Sequence, residues 1–100
     1  MKKIALSLSI ASTLFACTKT PTPCFSIDRG KPTKVNEEIQ FDASCSNNAS
    51  TFSWEFGDGT TGTGVAVKHK YTVDKMYIVR LTATNKRKTA DITQELIIIK

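Results

Sequence analysis

The sequence predicts an all-β sandwich. Three observations carry this expectation. From Cys24 onward apolar side chains recur with a period of about two rather than about 3.6. Clusters of Gly, Asn, Asp and Ser punctuate the alternating runs at the spacing of short strands. A chain of 100 residues holds one compact domain and no second.

The first segment reads as an address. Met1-Lys2-Lys3 is a positive start, Ile4 to Phe15 is apolar apart from Ser and Thr, and Ala16 is a small residue beside a cleavage point, so residues 1–16 are expected to be a signal peptide removed on export. The apolar stretch is too short for a permanent membrane helix, which needs about 20 residues, and no later segment qualifies. Leu14-Phe15-Ala16-Cys17 resembles the bacterial lipobox, although Phe15 is a less usual occupant. The resemblance implies lipidation of Cys17, cleavage before it and a lipid anchor in the bacterial envelope, where several acyl chains hold stably and one holds only marginally. Thr18 is not the Asp that retains many lipoproteins at the inner membrane, so the outer membrane is favoured. Ordinary secretion with cleavage near Ala16 is the alternative.

Residues 17–23 then read as the lipidated Cys and a short stalk, because Thr18 to Pro23 offers little to bury and its prolines favour extension. With Cys17 consumed, Cys24 and Cys45 remain, an even number in a compartment where disulfides persist, and they are expected to pair. A metal site from Cys24, Cys45 and His69 is the alternative, without the paired spacing such sites show.

In the domain proper, residues 24–100, Ile39, Phe41 and Ala43 alternate with Gln40 and Asp42; Phe52, Trp54 and Phe56 alternate with Ser53 and Glu55. Both are half-buried strands. Met76 to Asn85 places Tyr77, Val79, Leu81 and Ala83 on one face, in a run rich in the β-branched and aromatic types that suit a pleated surface. Ser44 to Ser50, Gly57-Asp58-Gly59, Gly62 to Gly64 and Asp74-Lys75 supply the turns. The last strand, Asp91 to Lys100, ends in Leu96-Ile97-Ile98-Ile99, apolar on both faces, so its outer face is either covered by a loop or presented to a partner.

Phe41-Asp42-Ala43-Ser44, Trp54-Glu55-Phe56-Gly57-Asp58-Gly59, His69-Lys70-Tyr71 and Tyr77 to Asn85 resemble, in order and spacing, the PKD domain. The resemblance implies an immunoglobulin-like β-sandwich of about seven strands, used in surface proteins, secreted hydrolases and lipoproteins as a spacer or binding module. Glu55 stands where Asp is usual, Lys75 where Gly commonly precedes the Tyr strand, and Lys86 to Thr89 lacks the customary turn Gly.

Chemistry-bearing residues are few. Gly57 to Gly64 lacks the Gly-Lys-Ser/Thr ending of a phosphate loop and reads as a hairpin, with Asp58 bonding nearby amides. Calcium at Asp42 or Asp58 would lack a D-x-D-x-D-G loop. His69 has no evident nucleophile and orienting acid; the resemblance makes it structural, near the Trp54 layer. Trp54, in phase with Phe52 and Phe56, belongs to the core rather than to a sugar platform, and Tyr77 resembles the corner tyrosine whose hydroxyl bonds back to the chain. Asn48-Ala49-Ser50 fits a glycosylation acceptor that a bacterial lipoprotein leaves without meaning.

Of 14 basic residues, Lys2 and Lys3 lie in the removed segment, leaving 12 against 9 acidic, and the one basic run, Lys86-Arg87-Lys88, reads as a solvated turn, with an anionic-surface contact as the alternative. The expected protein is therefore not an enzyme, takes no cofactor or metal, and binds no nucleic acid. It meets the membrane through its anchor and binds a protein or glycan through the sandwich loops or an exposed sheet face. The alternative is a structural subunit of a larger envelope complex, docking through its last strand.

Overall fold

The computed structural model describes residues 19–28 and 33–100. Cys17 and the segment Met1 to Ala16 lie outside the described residues. Among the described residues seven strands follow one another: β1 (Ser26–Asp28), β2 (Ile39–Asp42), β3 (Thr51–Glu55), β4 (Thr61–Thr63), β5 (Ala66–His69), β6 (Met76–Asn85) and β7 (Lys88–Ile97). All pair antiparallel, in a three-stranded sheet of order β1-β2-β5 and a four-stranded sheet of order β4-β3-β6-β7.

The alternation seen in the sequence becomes the core. Along β6, Tyr77, Val79, Leu81 and Ala83 are buried while Met76, Ile78 and Arg80 are exposed. Ile39, Phe41 and Ala43 from the side of the facing sheet join Tyr77, Val79 and Leu81 in one core cluster with Phe25, Trp54, Phe56, Tyr71, Leu96 and Ile98. Each large apolar side chain so buried contributes about 1.5–3 kcal/mol against an exposed reference.

β7 begins at Lys88, three residues before the expected Asp91, and pairs with β6 in register from Asn85↔Lys88 to Met76↔Ile97. Its start was hidden because Lys88 and Thr89 are both exposed, so side chains give no alternation there although the backbone continues the hairpin. β7 ends at Ile97, short of the expected Lys100: there the chain leaves the sheet, and Ile99 bonds through its N–H to Thr33 O and through its carbonyl to Val35 N–H, both at 2.9 Å. Leu96 and Ile98 are buried, whereas Ile97 is 64% and Ile99 40% exposed, so no loop of the described chain covers that outer face.

Among the described residues the connections fall at two ends. One, the glycine-loop end, gathers the β3–β4 loop, the β5–β6 loop, residues 33–38 and the C-terminus; the other, the disulfide end, gathers the β2–β3 loop, the β4–β5 turn at Gly64-Val65, the β6–β7 turn and the N-terminal residues. At the second end Cys24 and Cys45 form a disulfide with Cα atoms 5.4 Å apart. Ser46 reinforces it: its Oγ accepts the Cys24 N–H at 2.9 Å and donates to the Cys24 carbonyl at 2.8 Å.

The segment read as a stalk is held to the domain over its described part. Thr22 exchanges backbone hydrogen bonds with Asn47 at 2.9 and 3.0 Å, Pro21 is buried, and Asn85 Nδ2 donates to the Lys19 carbonyl at 2.9 Å. Its prolines keep it extended, and extension lets it pair with a neighbour rather than stand clear of it.

Candidate functional site

The glycine-loop end concentrates the residues singled out in the sequence. β3 delivers Trp54 and, one residue past its end, Phe56, and the chain then reverses through Gly57 and Gly59, at φ +91° and +92°. Gly57 is fixed twice over, because a Cβ there would also stand 2.6 Å from the Ile78 carbonyl oxygen of β6. Across the turn, Asp58 Oδ1 accepts the Thr60 N–H at 3.1 Å and the Thr60 hydroxyl. This is the local self-bonding that suits Asp to turns.

β5, from the other sheet, brings His69 to the same place; its Nε2 lies 2.7 Å from Asp58 Oδ2 and 3.4 Å from Thr60 Oγ1. The contact therefore clasps the two sheets at their open end. The His69 ring lies flat on Phe56, centroids 4.2 Å apart, and meets Tyr71 edge-on at 4.7 Å. Tyr71 in turn lies 4.2 Å from Tyr77 and donates its hydroxyl to the Phe56 carbonyl at 2.7 Å. Further in, Phe56 stacks parallel to Trp54, which is fully buried and donates Nε1–H to the Gly64 carbonyl at 2.8 Å, so it presents no face to a ligand. Tyr77 donates its hydroxyl to the Val73 carbonyl at 2.6 Å.

Burial alone would raise the Asp58 carboxyl, but the hydrogen bonds from Thr60 and His69, with the His69 charge, outweigh it and hold the group below the usual carboxylate value. Burial, with Asp58 and Tyr77 adding to it, pushes the Tyr71 phenol far above its ordinary range. A phenol so placed stays protonated and serves as a donor.

Sequence reasoning placed no acid or nucleophile beside His69, and the structure brings Asp58 and Thr60 there. The signal lay in the paired glycines around Asp58, which turn the loop back over the end of β5. Yet a base relay needs the acid on one imidazole nitrogen and the nucleophile on the other. Here both oxygens approach Nε2. The arrangement is built to hold the loop, and beside it opens a shallow cavity of about 500 Å³ bordered by Lys70 and Lys75.

The metal alternatives separate in space. Cys24 and Cys45 are joined to each other at the end opposite His69. Asp42 lies at the disulfide end, where the Ser44 amide and hydroxyl lower its carboxyl, and is likewise remote from Asp58. Among the described residues no three metal-ligating side chains gather.

A second groove, of about 420 Å³, lies on the outer face of the four-stranded sheet. Register sets its walls: Glu55 faces Thr61 on one side and Arg80 on the other, with Ile78 and Gly57 as floor. Arg80 Nε is 3.6 Å from Asp91 Oδ2. Next to the groove the outward side chains turn apolar: Ile78 is 45% exposed, and the cross-strand pair Met76 and Ile97 is 49% and 64% exposed.

Comparison with known proteins agrees with this architecture. The PKD domain family's sequence pattern matches residues 20–98. Collagenase ColA of Bacillus cereus is 46% identical over 57 residues, but that match spans 53% of this chain and only 6% of the collagenase. Among solved structures, one described as carbohydrate-binding modules from the β-sandwich superfamily matches 83% of this chain and 36% of its own at 24% identity and a TM-score of 0.76. The PKD1 domain of Vibrio anguillarum Epp matches 82% of this chain and 96% of its own at 21% identity and a TM-score of 0.69. The PKD1 domain of the Vibrio cholerae metalloprotease PrtV matches 82% of this chain and all of its own at 22% identity, also at a TM-score of 0.69. With its two-sheet topology and a pattern match along nearly the whole described chain, this protein belongs to the PKD domain family.

Proposed function

We propose that this chain is a non-catalytic binding module, carried in the bacterial envelope on a lipid at Cys17 with the outer membrane favoured, and that it recognises a protein or glycan through the outer face of its four-stranded sheet. The observation that carries the reading is the groove between Glu55 and Arg80 continuing into exposed Ile78, Met76 and Ile97. A guanidinium and a carboxylate beside an apolar floor give oriented hydrogen bonds and a surface to desolvate, which is what small recognition sites combine. The likeness to a structure described as carbohydrate-binding modules supports it. The absence of a relay at His69, whose one nitrogen meets both oxygens, supports the non-catalytic part.

A second reading, a subunit of an envelope complex docking through its last strand, is favoured by Ile97, the most exposed large apolar side chain described, at the edge of its sheet. One experiment separates the two. The mature protein is used to screen a glycan array and, in parallel, is co-purified after crosslinking from its own envelope, each with Arg80→Ala and Ile97→Glu. Glycan capture lost with Arg80→Ala supports the first; one stoichiometric protein lost only with Ile97→Glu supports the second. Capture unaffected by either substitution refutes the assignment to this face. Labelled palmitate entering the wild type but not Cys17→Ala supports the anchor, and equal labelling of both removes it.

A further inference from the structure

We infer that the disulfide end of the sandwich is a membrane-facing surface, on which Lys19 and the Lys86-Arg87 turn bind the headgroups of anionic phospholipids; this rests on the anchor at Cys17 proposed above. The geometry starts with the N-terminal segment. Its backbone is tied to Asn47 through Thr22, and its Lys19 carbonyl is tied to Asn85, the residue immediately before the basic turn. Cys17 precedes Lys19 by two residues, and an extended chain covers at most about 3.6 Å per residue, so the lipid would attach within about 7 Å of Lys19. The lipid would thus draw this end, and no other, against the bilayer.

Charge at the two ends is unlike. The loops of the glycine-loop end hold Lys34, Lys70, Lys75 and Lys100 against Glu37, Glu38, Asp58 and Asp74 among the described residues. At the disulfide end, residues 43–50, Gly64-Val65 and Lys86-Arg87 contain no carboxylate; Asp42, at the end of β2, is the acid there and accepts the Ser44 N–H, against Lys19, Lys86, Arg87 and Lys88, which are all exposed. The turn also carries a side chain at a position that suits Gly: Lys86 sits at φ +58°, a conformation that Gly takes freely and other residues take at a cost. Basic side chains held near an anionic leaflet each raise its hold by about fivefold, and the attraction fades within a screening length. Lipid chains and a basic patch are the two signals that together fix a protein on a membrane.

The test uses the purified chain with vesicles of phosphatidylcholine alone or with phosphatidylglycerol, at about 0.1 M and about 1 M salt, where the screening length falls from about 10 Å to about 3 Å. Trp54, the only tryptophan, serves as energy donor to a dansyl group on the lipid heads. Higher transfer with phosphatidylglycerol at low salt, lost at high salt and lost in Lys86→Glu/Arg87→Glu but retained in Lys70→Glu/Lys100→Glu, is the result expected. Transfer equal on the two compositions, or both double variants behaving alike, overturns the inference. Flotation reads the anchor separately. A chain that does not float with phosphatidylcholine has no anchor; it still supports the surface if it floats with phosphatidylglycerol and the Lys86/Arg87 reversal lowers that binding about tenfold or more, and it overturns both if it floats with neither.

Discussion

The two ends of this sandwich are closed by different means. At the glycine-loop end, large rings do the work: Phe56, His69, Tyr71 and Tyr77 pack one against the next, and their polar atoms find partners in Asp58 and in the Phe56 and Val73 carbonyls. At the disulfide end, the inward positions of β6 and of the chain leaving β2 are Ala83 and Ala43, which bury little area, and the buried ring beside Cys24 is Phe25, edge-on to Trp54. There a covalent bond and a backbone pair, Cys24 to Cys45 and Thr22 with Asn47, add to what that one ring supplies. A small domain has little core to spare. Closure is therefore divided: packing of a row of rings secures one end, and cross-linking reinforces the other and keeps the N-terminal segment in place.

The largest expected effect tests the packed end. Gly57→Ala would need both the left-handed backbone and a shift of the Ile78 carbonyl that sits 2.6 Å from the new Cβ, and that carbonyl belongs to the central strand β6. Strain and overpacking together should cost about 3–5 kcal/mol. Gly59 has the same sign of φ with open space around it, so Gly59→Ala should cost only about 1 kcal/mol. Urea unfolding followed by Trp54 fluorescence measures both. Equal losses in the two variants would show that the approach to Ile78 carries no weight.

The next effect tests the cross-linked end. Replacing Cys24 and Cys45 together by Ser opens a loop with a sequence separation of 21 and should cost about 3 kcal/mol. If closure is divided as argued, amide exchange in the folded variant should quicken around residues 19–25 and 43–50 and change little near Tyr71. Uniform loss of protection would mean that one cooperative core serves both ends.

How much of this was legible beforehand follows the same division. Period-two patterning revealed the strands whose inner faces are large and apolar, and β6 was read to its residue bounds because Tyr77 to Ala83 alternate without interruption. β1, β4 and the start of β7 were not resolved as strands, since Ser26–Asp28, Thr61–Thr63 and Lys88-Thr89 are held by backbone pairing and bury little. The motif residues of the glycine-loop end were named from the family resemblance. That Asp58 and Thr60 reach His69 was not visible, because the contact joins residues from different sheets and depends on the turn between Gly57 and Gly59. The docking of Lys19 and Thr22 was equally hidden, for it uses backbone groups that every sequence has.

A smaller effect sharpens the role of the clasp. The Asp58 carboxyl is held below its ordinary value in the folded protein, so unfolding takes up protons in that range and stability rises with pH. The contribution is fully present above the ordinary carboxylate value near 3.8 and is lost as pH falls through the lower folded one. Urea midpoints measured from pH 5 down to about pH 2 should therefore fall more steeply in the wild type than in Asp58→Asn. Parallel profiles would mean that the carboxylate is equally at home in the unfolded chain.

The smallest expected effect has the opposite sign and lies at the other end. Asn85 and Lys88 face each other, so the β6–β7 turn has only Lys86 and Arg87 to reverse the chain, and it does so with Lys86 at φ +58°. A Cβ in that region is disfavoured, by about 1 kcal/mol or somewhat more. Lys86→Gly should remove this strain at some cost in unfolded-chain entropy, leaving a net gain of up to about 1 kcal/mol in urea. The same substitution removes one cation from the surface proposed to face the membrane, so it should weaken the response to phosphatidylglycerol while raising stability. The two readouts moving in opposite directions would separate what the turn does for the fold from what its charge does for the surface; a variant no more stable than the wild type would mean that Lys86 is held there without strain.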